Sequence, residues 1–389
     1  MINKFLHSDL VSITISSLIA GLGSGLVGIF IPLLLLNKGL ELWQVCGFYV
    51  LYAISKLCIN YPVTILINKC GARIGLVSGY GSMAGFMVLL TVYMVSGQPW
   101  SLLLMAPLMA LQNSFLWNSQ HLHISRVMNE SRKNRDIAMM ANLGRIVGIF
   151  SPLIGGGIAI VLGPAWLAGV ASIIIMLAII PVWHLDKIAG GHQVSNNLSY
   201  SLKHAPVRDL VAEFAFSTHT TVGVMVWPIY LAVFIPHFGQ IGIIASIATA
   251  ISVIIVHFMA KRGDKGKSYQ LLVEGTAGSS AVHVGRILAS SNPVTITIIS
   301  ALYDVALSYQ LNPWTSLYYT HTRKKGINYI MSMEIAGDLA CVFLWGILGI
   351  VAYFYHSNLF FTFAFAFAAV IVWLCLFMTN DKKPDLAHS

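Results

Sequence analysis

The 389 residues are 57% hydrophobic and only 10% charged, with a mean hydropathy of +0.77. A soluble globular chain carries about 25% charged residues, so composition excludes a soluble domain and points to an all-α integral membrane protein. A net charge of +9 and a pI near 9.3 would also suit nucleic acid, but the placement of the cations removes that reading.

A membrane-crossing helix needs about 20 mostly apolar residues, and twelve such runs follow in order. The first, 9–36, stands behind a lone Lys4. It exceeds the roughly 7–15-residue core of a signal peptide and reads as a retained span. Span 2, 43–67, holds Lys56 and, one turn on, Asn60. Spans 3 and 4 are 74–96 and 100–125, the latter with Gln112 and Asn113. Span 5, 136–162, has Arg145 amid an apolar run, and span 6 is 164–184. Span 7, 209–236, carries His219 among threonines, and span 8 is 239–260. Span 9, 268–288, is the least apolar: it is rich in Gly and Ser and contains Glu274 and His283. Span 10, 293–320, has Asp304 beside Tyr303, then Gln310. Span 11, 327–355, has Glu334 and Asp338, and span 12 is 357–378.

With the N-terminus placed inside, 19 of the 23 Lys and Arg residues fall on inside loops and tails. The exceptions are Lys38, Arg286 near an outer helix end, and Lys56 and Arg145 within the membrane. The positive-inside rule then puts both termini in the cytoplasm, so the basic pI follows from topology and no nucleic-acid partner is expected. The five cysteines form no metal-ligand spacing, no phosphate loop or nucleophile motif is present, and neither cofactor, metal nor enzymatic activity is expected.

The one long polar segment divides the chain at its midpoint. It gives an N-terminal six-helix half over 1–186, a cytoplasmic linker over 187–208 and a C-terminal six-helix half over 209–389. Four features recur in order at offsets of 192 to 197 residues: Pro32 with Pro228, Gly71 with Gly263, Trp117 with Trp314, and Arg145 with Asp338. Six spans per half is an even number, so the two copies point the same way.

On these residues the chain resembles the major facilitator superfamily over essentially its full length. Asn68-Lys69-Cys70-Gly71-Ala72-Arg73 stands where that family has a cytoplasmic signature after span 2, but Asn68 replaces the signature's acid, which leaves the gate latch in question. Ser151-Pro152-Leu153-Ile154-Gly155-Gly156 is similar to the Gly-Pro-x-x-Gly-Gly of many family antiporters, and serves equally as a packing kink. The resemblance implies gating roles for Lys69, Gly71, Arg73, Pro152, Gly155 and Gly156. It also implies a cavity lined by spans 1, 4, 7 and 10, with span 2 packed on 11 and span 5 on 8.

A charge at the centre of a spanning helix costs about 2.5–3.5 kcal/mol on insertion scales, so the intramembrane charges are the candidate site residues. Glu334 and Asp338 lie four apart on one helix face, and two carboxylates in low dielectric do not both ionise cheaply. They are candidates for proton coupling, or for a neutralising pair with Lys56, or both. Asp304 and His219 are further proton-coupling candidates, each with a plain structural alternative. Arg145 and Lys56, with Gln112, Asn113 and Gln310, are candidates for substrate binding, because a guanidinium suits carboxylate or phosphate. Trp117, Trp314, Tyr318 and Tyr319 read as interfacial anchors or as lining of the inner mouth.

The expectation is a monomeric, proton-coupled secondary transporter in an inner (cytoplasmic) membrane. It moves a small polar, anionic organic solute, metabolite or siderophore-like, by alternating access. The rivals are a multidrug/proton antiporter exporting lipophilic cations, and a non-transporting receptor or assembly factor of the same fold.

Overall fold

The computed structural model describes residues 9–127, 133–183, 185, 205–260, 268–288, 292–355 and 357–378. Most of the expected linker, up to residue 204, lies outside the described residues, as do the tails before residue 9 and after 378.

Twelve helices follow one another. The first six are α1 Asp9–Asn37, α2 Leu42–Cys70, α3 Ala72–Ser96, α4 Pro99–Val127, α5 Lys133–Val161 and α6 Pro164–Val182. The second six are α7 207–234, α8 Phe238–Ala260, α9 Ser268–Ile287, α10 Pro293–Lys325, α11 Ile327–Phe354 and α12 Ser357–Phe377. Helices satisfy their own backbone groups, the one solution open to a single apolar run in hydrocarbon. Among the described residues, nine of the twelve are long and apolar enough to cross a membrane by that measure alone. The other three, α4, α7 and α9, carry the polar side chains discussed below.

The two sets of six pack by one scheme. In the first, α1 lies against α5 and α6, and α3 against α4 and α6, while α2 lies against α4. In the second, α7 lies against α11 and α12, and α9 against α10 and α12, while α8 lies against α10. Each of these pairings in the first set thus has its counterpart six helices later, the property of two parallel repeats. The sets meet mainly along two seams, α2 with α11 and α5 with α8, which the repeat operation exchanges, and α1 also touches α7.

Close approach at the α5–α8 seam depends on missing side chains. A methyl group on Gly156 would stand 2.9 Å from the Phe238 carbonyl oxygen, and one on Gly155 would run into the Leu26 carbonyl of α1. The Pro152 carbonyl lies against Gly242 in the same way.

The repeated prolines mark a second shared device. A proline cannot donate to the helix ladder, and α1 responds just before Pro32 with a tighter 3₁₀ turn, Gly28–Phe30, in which Ile31 N–H returns to the Gly28 carbonyl. Before Pro228, α7 instead widens into a π turn, Val222–Val226, with Trp227 N–H donating to the Val222 carbonyl. Both irregular turns face the space between the halves.

Candidate solute and proton sites between the halves

At the α2–α11 seam, Lys56 Nζ lies 2.7 Å from Asp338 Oδ1 and 3.1 Å from Glu334 Oε2. The spacing explains the fit: Lys56 and Asn60 are four apart on α2, Glu334 and Asp338 four apart on α11, so each helix presents two rungs on one face. Asn60 Nδ2 donates to Asp338 Oδ2 at 3.0 Å. Asn118 of α4 donates to Asn60 Oδ1 at 2.9 Å and to Thr64 Oγ1 at 3.0 Å. Glu213 of α7 accepts from Ser217 at 2.8 Å. It stands so near α11 that a methyl on Gly337 would be 3.3 Å from its Oε1. Two carboxylates therefore hold one lysine, and a third, Glu213, stands beside the same stretch of α11.

A cavity of about 460 Å³ opens between the halves. Its walls are mostly apolar, with Met83, Met87 and Met109 from the first half and Trp227 from the second, and both Pro32 and Pro228 border it. Its polar lining includes Gln112, Arg286, Ser300, Tyr303 and Asp304, with Ser24, Tyr49 and Thr249. Gln112 keeps its buried Oε1 without a hydrogen-bond partner among the described residues.

Arg145 does not line this cavity. It reaches across from α5 to α10, where Nη2 donates to Ser308 Oγ at 3.0 Å, and Ser308 in turn donates to the Asp304 carbonyl at 2.6 Å. Its Nη1 adds a long bond, 3.4 Å, to Asn142. Asn113 is half-buried on α4 and outside the cavity wall. Gln310, expected on the substrate path, is fully buried between α9 and α10, bonded to Ser279 and Thr276. It fastens two helices of one half, because its place on α10 turns toward α9. His219 is also fully buried, with its ring edge-on to Phe216 and His283 and both nitrogens unpartnered among the described residues.

Arg286 escaped sequence reasoning as a helix-end residue. It is 2% exposed, and its guanidinium carbon lies 4.3 Å from the Trp227 ring centre and 4.2 Å from that of Tyr303. A signal was legible: Thr276, Ser279, His283 and Arg286 repeat at helical spacing and form one fully buried polar stripe on α9.

No protein-family model matches the sequence, and no curated protein matches it. Among solved structures, the chain superposes on a crystal structure of the major facilitator superfamily transporter FucP in the outward conformation. The TM-score is 0.68 over 95% of this chain and 97% of that one, at 13% sequence identity. The chain has the major facilitator fold.

Within the major facilitator fold, the loop after α2 behaves as a brace. Gly71 caps α2 and starts α3 at φ 90°, a conformation that L side chains rarely adopt. Arg73 points its Nη1 at the Trp183 and Leu185 carbonyls at the end of α6, 3.4 Å from each, so it ties α3 to α6 within one half. Lys69 is exposed. At the same end of the bundle, Tyr319 of α10 and His121 Nδ1 of α4 share a 2.6 Å hydrogen bond across the halves. The aromatics expected at a membrane interface differ among themselves. Trp314, Tyr318 and Tyr319 are buried, with Trp314 stacked on Phe216 at 4.5 Å, whereas Trp117 is 43% exposed. The helix faces that carry the first three turn into the bundle, where lipid headgroups do not reach.

Proposed function

We propose that the protein is a proton-coupled secondary active transporter of a small, polar, anionic organic solute, working by alternating access in an inner membrane. Its basic loops and both termini face the cytoplasm, as the cation distribution favours. The observation that carries the reading is the Lys56 ladder at the seam between the halves. Any opening along α2–α11 must separate Lys56 from Asp338 and Glu334. A lysine paired with two acids, with Glu213 close by, is over-neutralised, and low dielectric favours a proton on one of the carboxylates. A proton there weakens the ion pair at the point where the halves part, which links protonation to rocking. Lys56 thereby serves the latch and not the solute.

The cavity supports an anionic solute through its charge balance. Arg286 lines it with Asp304, and Arg145 stands behind at Ser308, so the surroundings carry two fixed cations and one carboxylate. A second reading, export of a lipophilic cation, draws on the apolar methionine and tryptophan walls with Asp304 as counter-ion.

Purified protein in liposomes holding a pH-sensitive dye distinguishes these. Organic anions evoke proton movement through the wild type, and Asp338→Asn abolishes it. Proton movement evoked by tetraphenylphosphonium but by none of a broad anion panel would establish the second reading. Silence across both panels would favour a non-transporting receptor.

A further inference from the structure

We infer that Arg286, set against the rings of Trp227 and Tyr303, is the anchor for the solute's anionic group, and that the solute is an organic monoanion with a planar apolar body. This rests on the transporter reading and specifies its substrate class.

Arg286 is nearly inaccessible yet borders the cavity. Its Nε and Nη1 have no hydrogen-bond partner among the described residues. The rings of Trp227 and Tyr303 attract the cation through their faces but offer no acceptor in the path of its N–H groups. An arginine is always charged, and one buried with donors unmet is costly unless something completes it. Asp304 borders the same cavity and acts on Arg286 through its charge, but among the described residues no ion pair within 4.0 Å joins the two. The Tyr303 hydroxyl beside it also lacks a partner among the described residues. Donors without acceptors, closed in on residues that border a cavity, fit the planar fork of a carboxylate that reaches them.

The surroundings specify the rest of the solute. Trp227 is held by Nε1–H donating to Ser300 Oγ at 2.9 Å, and it stacks on Tyr230 at 4.9 Å and 5°, so the ring stands as a fixed platform. The opposite wall is methionine, which adapts to flat apolar groups. A volume of about 460 Å³ suits one small organic molecule. Arg286 and Arg145 against Asp304 leave a net charge of one positive, which accommodates one negative charge; a dianion would leave a second charge facing Asp304.

The test uses 2-naphthoate and its neutral amide, 2-naphthamide, titrated calorimetrically into the detergent-purified full chain. The wild type binds naphthoate and discriminates against the amide by at least about tenfold. Arg286→Gln loses at least about tenfold in naphthoate affinity, and Arg286→Lys, which keeps the charge without the fork, falls between. Quenching of tryptophan fluorescence by naphthoate accompanies binding and shrinks in Trp227→Phe; this holds the inference open to refutation should the Arg286 variants fail to fold. Equal binding of the amide, unaltered affinity in Arg286→Gln, or loss confined to Arg145→Gln would overturn the assignment. So would a wild type that ignores naphthoate. A wild type that moves protons with other anions but ignores naphthoate would leave the transporter reading standing and remove this one.

Discussion

The α2–α11 seam and the Arg286 cage lie in one molecule, at one boundary between halves, and treat buried charge in opposite ways. At the seam the buried charges are paired: Lys56 with two carboxylates, and Asp338 also with Asn60, which Asn118 holds in turn. At the cage the guanidinium meets only ring faces, and His219, His283 and Tyr303 beside it have polar atoms unanswered among the described residues. A paired site has nothing left to offer a ligand, but it has something to lose when a proton arrives. An unpaired site is the reverse. On the proposed reading, the seam serves coupling and the cage serves binding.

The largest expected effect breaks the seam. Lys56→Ala leaves carboxylates buried without their cation and costs about 3–5 kcal/mol, read as a lowered unfolding temperature in detergent. Replacing the set together, Lys56→Met with Glu334→Gln and Asp338→Leu, returns stability close to wild type while proton movement in liposomes stays absent. Retained proton movement in that triple variant would show that the seam does not couple. Gly155→Val comes next: its side chain meets the α1 backbone, and overpacking costs about 1–3 kcal/mol, again in thermal unfolding. Asn118→Ala strips Asn60 and Thr64 of a donor and costs about 1–3 kcal/mol. The smallest is Ser308→Ala, which removes one hydrogen bond to Arg145 for about 0.5–1.5 kcal/mol. An effect there as large as that of Lys56→Ala would mean that Arg145, and not the cage, is the sensitive cation.

The fold was largely legible because apolar length and cation placement are local properties of the chain. The twelve runs lie within a few residues of the helices; the largest extension is α10, which runs on to Lys325 beyond the expected 320. The seam was half legible: four-residue spacing put Glu334 with Asp338 and Lys56 with Asn60, and the family resemblance set span 2 beside span 11. Glu213 was missed because its proximity to Gly337 is tertiary. Arg286 was missed because distance from a helix end says little about depth when the neighbouring aromatics, Trp227 and Tyr303, come from other helices. Gln310 was misplaced for a related reason: being mid-span does not say which neighbour a side chain faces, and Thr276 and Ser279 claim it.

The division of labour between the two sites is tested most directly by uptake of radiolabelled naphthoate into proteoliposomes under an imposed pH gradient. The account predicts that wild-type protein moves naphthoate against its gradient. Asp338→Asn should still exchange labelled for unlabelled naphthoate but no longer concentrate it, and Arg286→Gln should do neither. Gradient-driven accumulation that persists in Asp338→Asn, or exchange that persists undiminished in Arg286→Gln, would contradict it.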